Sequence, residues 1–143
     1  MSAGCQVDFY VLSRAEQSAD HFACRLAVMA WEQGHRVAVC APGAERAQRL
    51  DALMWEHPPG RFLPHEAGAD DGAAPVHVLA GNQSIAAHRD LVINLCPDAV
   101  PDPGRFARLC EIVPADPADR EASRHKFRHY RDAGLAPEHH PMG

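Results

Sequence analysis

A chain of 143 residues can bury one sizeable core but rarely two, and 46% hydrophobic with 23% charged residues is the composition of an ordinary folded domain, not of a disordered chain. The formal charge of −5 argues against wholesale nucleic-acid binding, which needs a net basic face to release phosphate counterions. The longest apolar stretches, such as Phe22 to Trp31, are broken by Arg25 and fall short of the roughly 20 residues of a membrane span. Met1 to Gly4 show no basic region followed by an apolar core, so no secretory signal is expected and the cytoplasm is the expected location.

In chain order, Val7 to Leu12 is rich in β-branched and aromatic residues and predicts a buried first strand. Phe22, Leu26, Met29 and Ala30 then repeat at helical spacing over about Ser18 to Gln33, with Ser18 as N-cap and Gly34 as stop. His35 to Ala41 predicts a second strand, Pro42-Gly43 a break, and Ala47, Leu50, Leu53 and Met54 a second amphipathic helix. From His57 to Ala74 the composition is that of a loop with room for one short strand. Val76 to Ala80, Leu91 to Leu95 and Leu109 to Val113 predict three more strands, the last preceded by a short helical turn. A final helix is expected from about Pro117 through Tyr130, stopped by Gly134, with residues 135–143 as a loose tail. Strands alternating with helices predict an α/β fold: one domain over residues 1–134, with a mostly parallel sheet flanked by helices and right-handed crossovers.

On such a fold, nucleotide binding requires a glycine-rich first turn whose backbone approaches phosphate. The corresponding turn, Ser13 to Gln17, contains no glycine, and no phosphate loop occurs elsewhere. Gly81 to Ser84 reads as an ordinary turn. The scattered cysteines Cys5, Cys24, Cys40, Cys96 and Cys110 form no Cys-x-x-Cys pair and read as small hydrophobes. His125 and His129 share a helix face but sit among cations without a glutamate base, and His139-His140 fall in the tail, so no metal or cofactor is expected. Asp70-Asp71 reads as a solvated loop pair, and no serine occupies a nucleophile elbow, so no catalytic residue is expected.

Two features stand out. Arg120, Arg124, Arg128 and Arg131 recur at spacings of four, four and three on the final helix, a basic stripe in an acidic chain. Phe127 and Tyr130 lie beside it, so the helix offers guanidinium donors together with an apolar surface that would suit an acidic peptide carrying an aromatic residue. The alternative is a solvated arginine face with both rings turned into the core. Trp55, Phe62 and Pro64 surround the proline-rich loop as candidate anchors for a partner, with packing onto the core as the alternative.

Phe9-Tyr10-x-Leu12, Gly34-His35-Arg36-Val37, Arg49-Leu50-Asp51 leading to Trp55, Phe62-x-Pro64-His65, Pro75-Val76-x-Val78, Glu111-Ile112-Val113-Pro114 and Tyr130-Arg131-x-Ala133-Gly134 occur in that order and spacing. In these segments the chain resembles the chi subunit family of the bacterial DNA polymerase III holoenzyme. The resemblance implies a nucleotide-binding-like (Rossmann-like) fold without a catalytic role or cofactor. It implies that the protein bridges the clamp loader, through the psi subunit, to the C-terminal tail of single-stranded DNA-binding protein, with DNA contacted only indirectly. Trp55 and Phe62, with Pro64 beside them, match the psi-facing surface, which a repair-type helicase can also use. Val113, Arg120, Arg124 and Phe127, with the adjoining Arg128, match the pocket for the tail, Phe127 standing where the family would have tyrosine. The competing expectations are a small nucleotide-binding or hydrolytic α/β enzyme and a direct single-stranded nucleic-acid-binding protein.

Overall fold

A computed structural model describes residues 4–56, 64–68 and 74–142. Phe62 and the Asp70-Asp71 pair lie outside the described residues.

Among these residues the chain forms β1 (Gln6–Leu12), α1 (Ala19–Glu32), β2 (Val37–Ala41), α2 (Ala44–Glu56), β3 (His65–Ala67), β4 (Val76–Ala80), β5 (Leu91–Asn94), a short 3-10 turn (Pro103–Arg105), β6 (Arg108–Val113), α3 (Pro117–Asp132) and β7 (Glu138–Met142). The strands make one sheet in the order β3-β4-β2-β5-β6-β1-β7, every pairing parallel. This is the expected α/β architecture, Rossmann-like in arrangement.

The near-continuous apolar strands follow from a parallel sheet covered on both faces. On one face Val37, Val39, Val78, Ile93 and Ile112 pack under α1 and α2; on the other, Val7, Phe9, Val92, Leu109 and Val113 pack under α3 and the 95–106 connection. The helical connections α1 and α2, running toward β3, use the first face, and the β4–β5, β5–β6 and β6–β7 connections, running toward β7, use the second, as right-handed crossovers demand.

Ser18 caps α1 through a hydrogen bond accepted from the His21 amide. Gly34 (φ +90°) and Gly134 (φ +90°) end α1 and α3 in matching turns: His35 N–H donates to Ala30 O and Leu135 N–H to Tyr130 O. Glycine suits both positions because a side chain resists that left-handed backbone.

Two expectations change. Met29 was expected in the buried stripe of α1, yet it is 55% exposed. Phe22 and Ala30 of that stripe are buried, together with Ala23, Ala27 and Val28, so the inner face of the helix is centred away from Met29. Residues 135–143, expected as a loose tail, supply β7, which pairs with β1 from Asp8↔Glu138 to Leu12↔Met142. The segment lacks a hydrophobic run because it is an edge strand. It is held by its ladder and by two histidines that turn to opposite faces, His139 onto Phe9 and Phe127 and His140 onto Tyr10.

Candidate functional site

In an open parallel sheet, ligands favour the crevice beyond the carboxyl ends of strands whose connections leave on opposite faces. β1 and β6 are such a pair: β1 leads to α1 on one face and β6 to α3 on the other.

The β1–α1 turn that would cradle phosphate is occupied by the protein itself. The Gln17 side-chain oxygen accepts the amide hydrogens of both Ser13 and Arg14, at 2.8 Å each. Ser13 Oγ and Gln17 Nε2 in turn donate to the Met142 carbonyl at 3.0 and 3.1 Å, tying the turn to the end of β7.

Across the crevice stands α3, begun by Pro117 in the first turn. Val113 is buried at the carboxyl end of β6. Arg120 is half-buried; its Nη2 donates to the Leu12 carbonyl at 3.1 Å, while its buried Nε–H has no acceptor among the described residues. Buried N–H groups are seldom left so, since an unmade hydrogen bond costs about 1–3 kcal/mol. One turn on, Arg124 is exposed and reaches Glu121 at 2.7 Å, an ion pair that holds the Glu121 carboxyl below its usual range. Phe127 is half-buried, with Phe9 at 5.5 Å and the His139 ring lying parallel to it at 4.6 Å. Arg128 is exposed beside His125, at 3.1 Å, and Arg131 is exposed beside Asp132.

The stripe therefore divides. Arg120 turns toward the sheet, whereas Arg124, Arg128 and Arg131 face solvent. Tyr130 is wholly buried, as the core alternative expected, and Phe127 is only partly so. His125 and His129 are both exposed, and His125 pairs with Glu121.

Beneath the helix lies a buried polar group that spacing alone did not reveal. Lys126 Nζ is 2.7 Å from Glu111 Oε1 and 2.8 Å from the Cys96 carbonyl. Tyr130 donates to the other Glu111 oxygen and accepts from Val100 N–H, and Asn94 donates to Glu111 as well, at 2.9 Å. Burial, then the neighbouring Glu111 charge, pushes the Tyr130 phenol far up and keeps it a donor. The available signal was weak: Glu111 is an acid inside an otherwise apolar strand, and Lys126 falls on the inner side of the helix with Tyr130.

The second candidate surface lies at the opposite edge of the sheet. Trp55 ends α2 with 62% of its surface exposed, its ring edge-on to buried His65 at 4.9 Å. Half-buried Pro64 precedes β3. Six inter-strand steps of about 4.8 Å separate the β3 and β7 edges, roughly 29 Å in all.

Other chemistry is poorly supplied. All five cysteines are buried, and burial raises every thiol: Cys24 and Cys110 to about 12, Cys96 to about 11, with Cys5 and Cys40 also raised. Asp8, Glu138 and His140 bring their donor atoms within 4.8 Å of one another. Yet His140 already donates to Asp8 at 2.7 Å, and the Arg108 guanidinium lies 3.0 Å from the same carboxylate, a charge that opposes a divalent cation. A cleft of about 750 Å³ beside Ala44, Ala67 and Ser84 has no ionisable side chain among the described residues that line it. No helix among the described residues is long and apolar enough to cross a membrane.

The family model described as DNA polymerase III chi subunit, HolC, matches residues 5–138. A protein named DNA polymerase III subunit chi from Pseudomonas aeruginosa is 42% identical over 139 residues, 96% of each chain. Proteins of the same name from Escherichia coli and Haemophilus influenzae are each 26% identical, over 82% and 88% of this chain and 82% and 90% of their own.

Proposed function

The chain belongs to the DNA polymerase III chi subunit family, and on that premise we propose that it is a non-catalytic accessory subunit that joins two partners at opposite edges of its sheet. At the β7 edge, Val113, Arg120, Arg124, Phe127 and Arg128 receive the acidic, aromatic-ended C-terminal tail of single-stranded DNA-binding protein. At the β3 edge, Trp55 and Pro64, with Phe62 from outside the described residues, receive the psi subunit or a repair-type helicase.

The observation that carries the tail reading is the buried Arg120 Nε–H, without an acceptor among the described residues, one helical turn from the exposed Arg124 guanidinium. Two guanidiniums beside the half-buried Phe127 ring match the chemistry of carboxylates followed by a ring. Trp55 supports the second surface, since an exposed indole is the kind of anchor that dominates small interfaces. The non-catalytic reading is supported by Gln17 filling the phosphate turn and by thiols held in the protonated form.

The test is titration calorimetry of the purified protein with the tail peptide, with psi and with bare single-stranded DNA. Saturable binding of peptide and psi, each without effect on the other, with weak binding of bare DNA, is the expected result. Tight binding of bare DNA with none of the peptide would favour direct nucleic-acid recognition instead.

A further inference from the structure

The most exposed ring of the aromatic cluster at the β7 edge is His139, with Phe127 beside it. One side of the Phe127 ring packs toward Phe9, with centroids 5.5 Å apart, and the His139 ring lies over it at 4.6 Å with only 2° between planes. His139 itself is exposed, whereas Phe127 is half-buried. Phe127 and His139 thus form a stacked pair set at a tilt against Phe9, and the three rings grade in exposure from buried Phe9 through half-buried Phe127 to the exposed imidazole carried by the C-terminal strand.

Strand β7 holds that ring in place by three independent means. Its ladder with β1 sets His139 opposite Phe9. His140, on the other face, stacks on Tyr10 at 5.3 Å and donates to buried Asp8 at 2.7 Å. The Met142 carbonyl accepts from Ser13 and Gln17, beside the Leu12 carbonyl that Arg120 touches. His139 is therefore fixed three residues from Met142, whose partner Leu12 carries the Arg120 guanidinium on its carbonyl.

We infer that His139 is a specificity-determining residue for an acidic peptide ending in an aromatic residue: the peptide ring stacks on the exposed imidazole while its carboxylates meet Arg120 and Arg124. This rests on the tail-site reading proposed above. Parallel ring stacking rewards an aromatic end over an aliphatic or small one.

The test titrates full-length protein with two synthetic peptides, one ending in several aspartates and phenylalanine and one identical but ending in alanine. His139→Ala should weaken the phenylalanine peptide by about 2- to 12-fold, the range that aromatic pairs contribute, and leave the alanine peptide unchanged. His139→Phe, which keeps a ring, should retain most of the discrimination. Hydrogen exchange over 138–142 establishes that β7 stays docked in both variants. Wild-type affinity for both peptides in His139→Ala, alongside lost binding in Arg124→Ala, overturns the role of His139 and leaves the tail site standing. Equal loss of both peptides in His139→Ala and His139→Phe also overturns it, assigning the residue to support of the strand. If Arg120→Ala, Arg124→Ala and His139→Ala all bind as wild type, the tail-site reading fails together with this one.

Discussion

Lys126 Nζ lies 2.7 Å from the Glu111 carboxylate, with 7% of the lysine side chain and none of the glutamate side chain exposed, so the helix that carries the exposed arginines is riveted to β6 by a buried ion pair. Tyr130 and Asn94 satisfy the same carboxylate, and the Cys96 carbonyl satisfies the lysine. Removing one partner leaves a buried charge unpaired. Glu111→Ala should therefore cost about 3–5 kcal/mol in urea unfolding, and pairing it with Lys126→Met should recover much of that loss. Additive losses would mean that the two charges act independently.

At the β7 edge, Arg124→Ala should weaken the tail peptide by about 1.5–3 kcal/mol, the range for a hydrogen bond to a charged group, with little change in unfolding because the side chain is exposed. Arg124→Lys should rescue only part, since lysine lacks the planar fork. Glu121→Gln should tighten binding by releasing Arg124 from its 2.7 Å ion pair. Calorimetry between low and physiological salt should find binding weakening as salt rises, because exposed charges are screened over about 8 Å.

Trp55→Ala should lower affinity for psi by on the order of 1–3 kcal/mol while sparing the tail peptide, because the side chain is largely exposed and sits at the far edge of the sheet. Loss of both partners together would point to misfolding rather than a binding surface.

Asp8 yields a pH prediction. Burial works against its charged form, but hydrogen bonds from His140, Gln6 and Arg108 and the Arg108 charge outweigh it, leaving the carboxyl lower than usual. A lowered folded value contributes stability that is fully present above the unfolded value of about 3.9 and is lost as pH falls through the folded value. Asp8→Asn should therefore be less stable than wild type by about 1.5–3 kcal/mol at pH 7, with the gap closing in acid below that window. Urea unfolding at stepped pH, with hydrogen exchange over β7, checks both the sign and the strand affected.

Magnesium ATP should show no saturable micromolar binding by calorimetry, because the Ser13 and Arg14 amides already donate to Gln17. Tight binding would require that turn to open.

Most of the fold was legible because it rests on local signals. Apolar runs such as Val37–Ala41 read as strands, Ser18 and Gly34 bound a helix by capping chemistry, and strand–helix alternation implies a parallel sheet. The arginine spacing on α3 was equally visible, as was the missing glycine in the first turn. The elements and the residue types available to them were thus readable from local pattern. Long-range packing sets the rest: Arg120 turns inward while Arg124 does not, Lys126 is buried on Glu111, and Glu138–Met142 joins the sheet with exposed His139 stacked on Phe127. The reason is physical: an edge strand rich in histidine and proline has no hydrophobic period to announce it, and its stability comes from a ladder and ring contacts with β1 and α3, residues more than a hundred positions and about ten positions away in the chain.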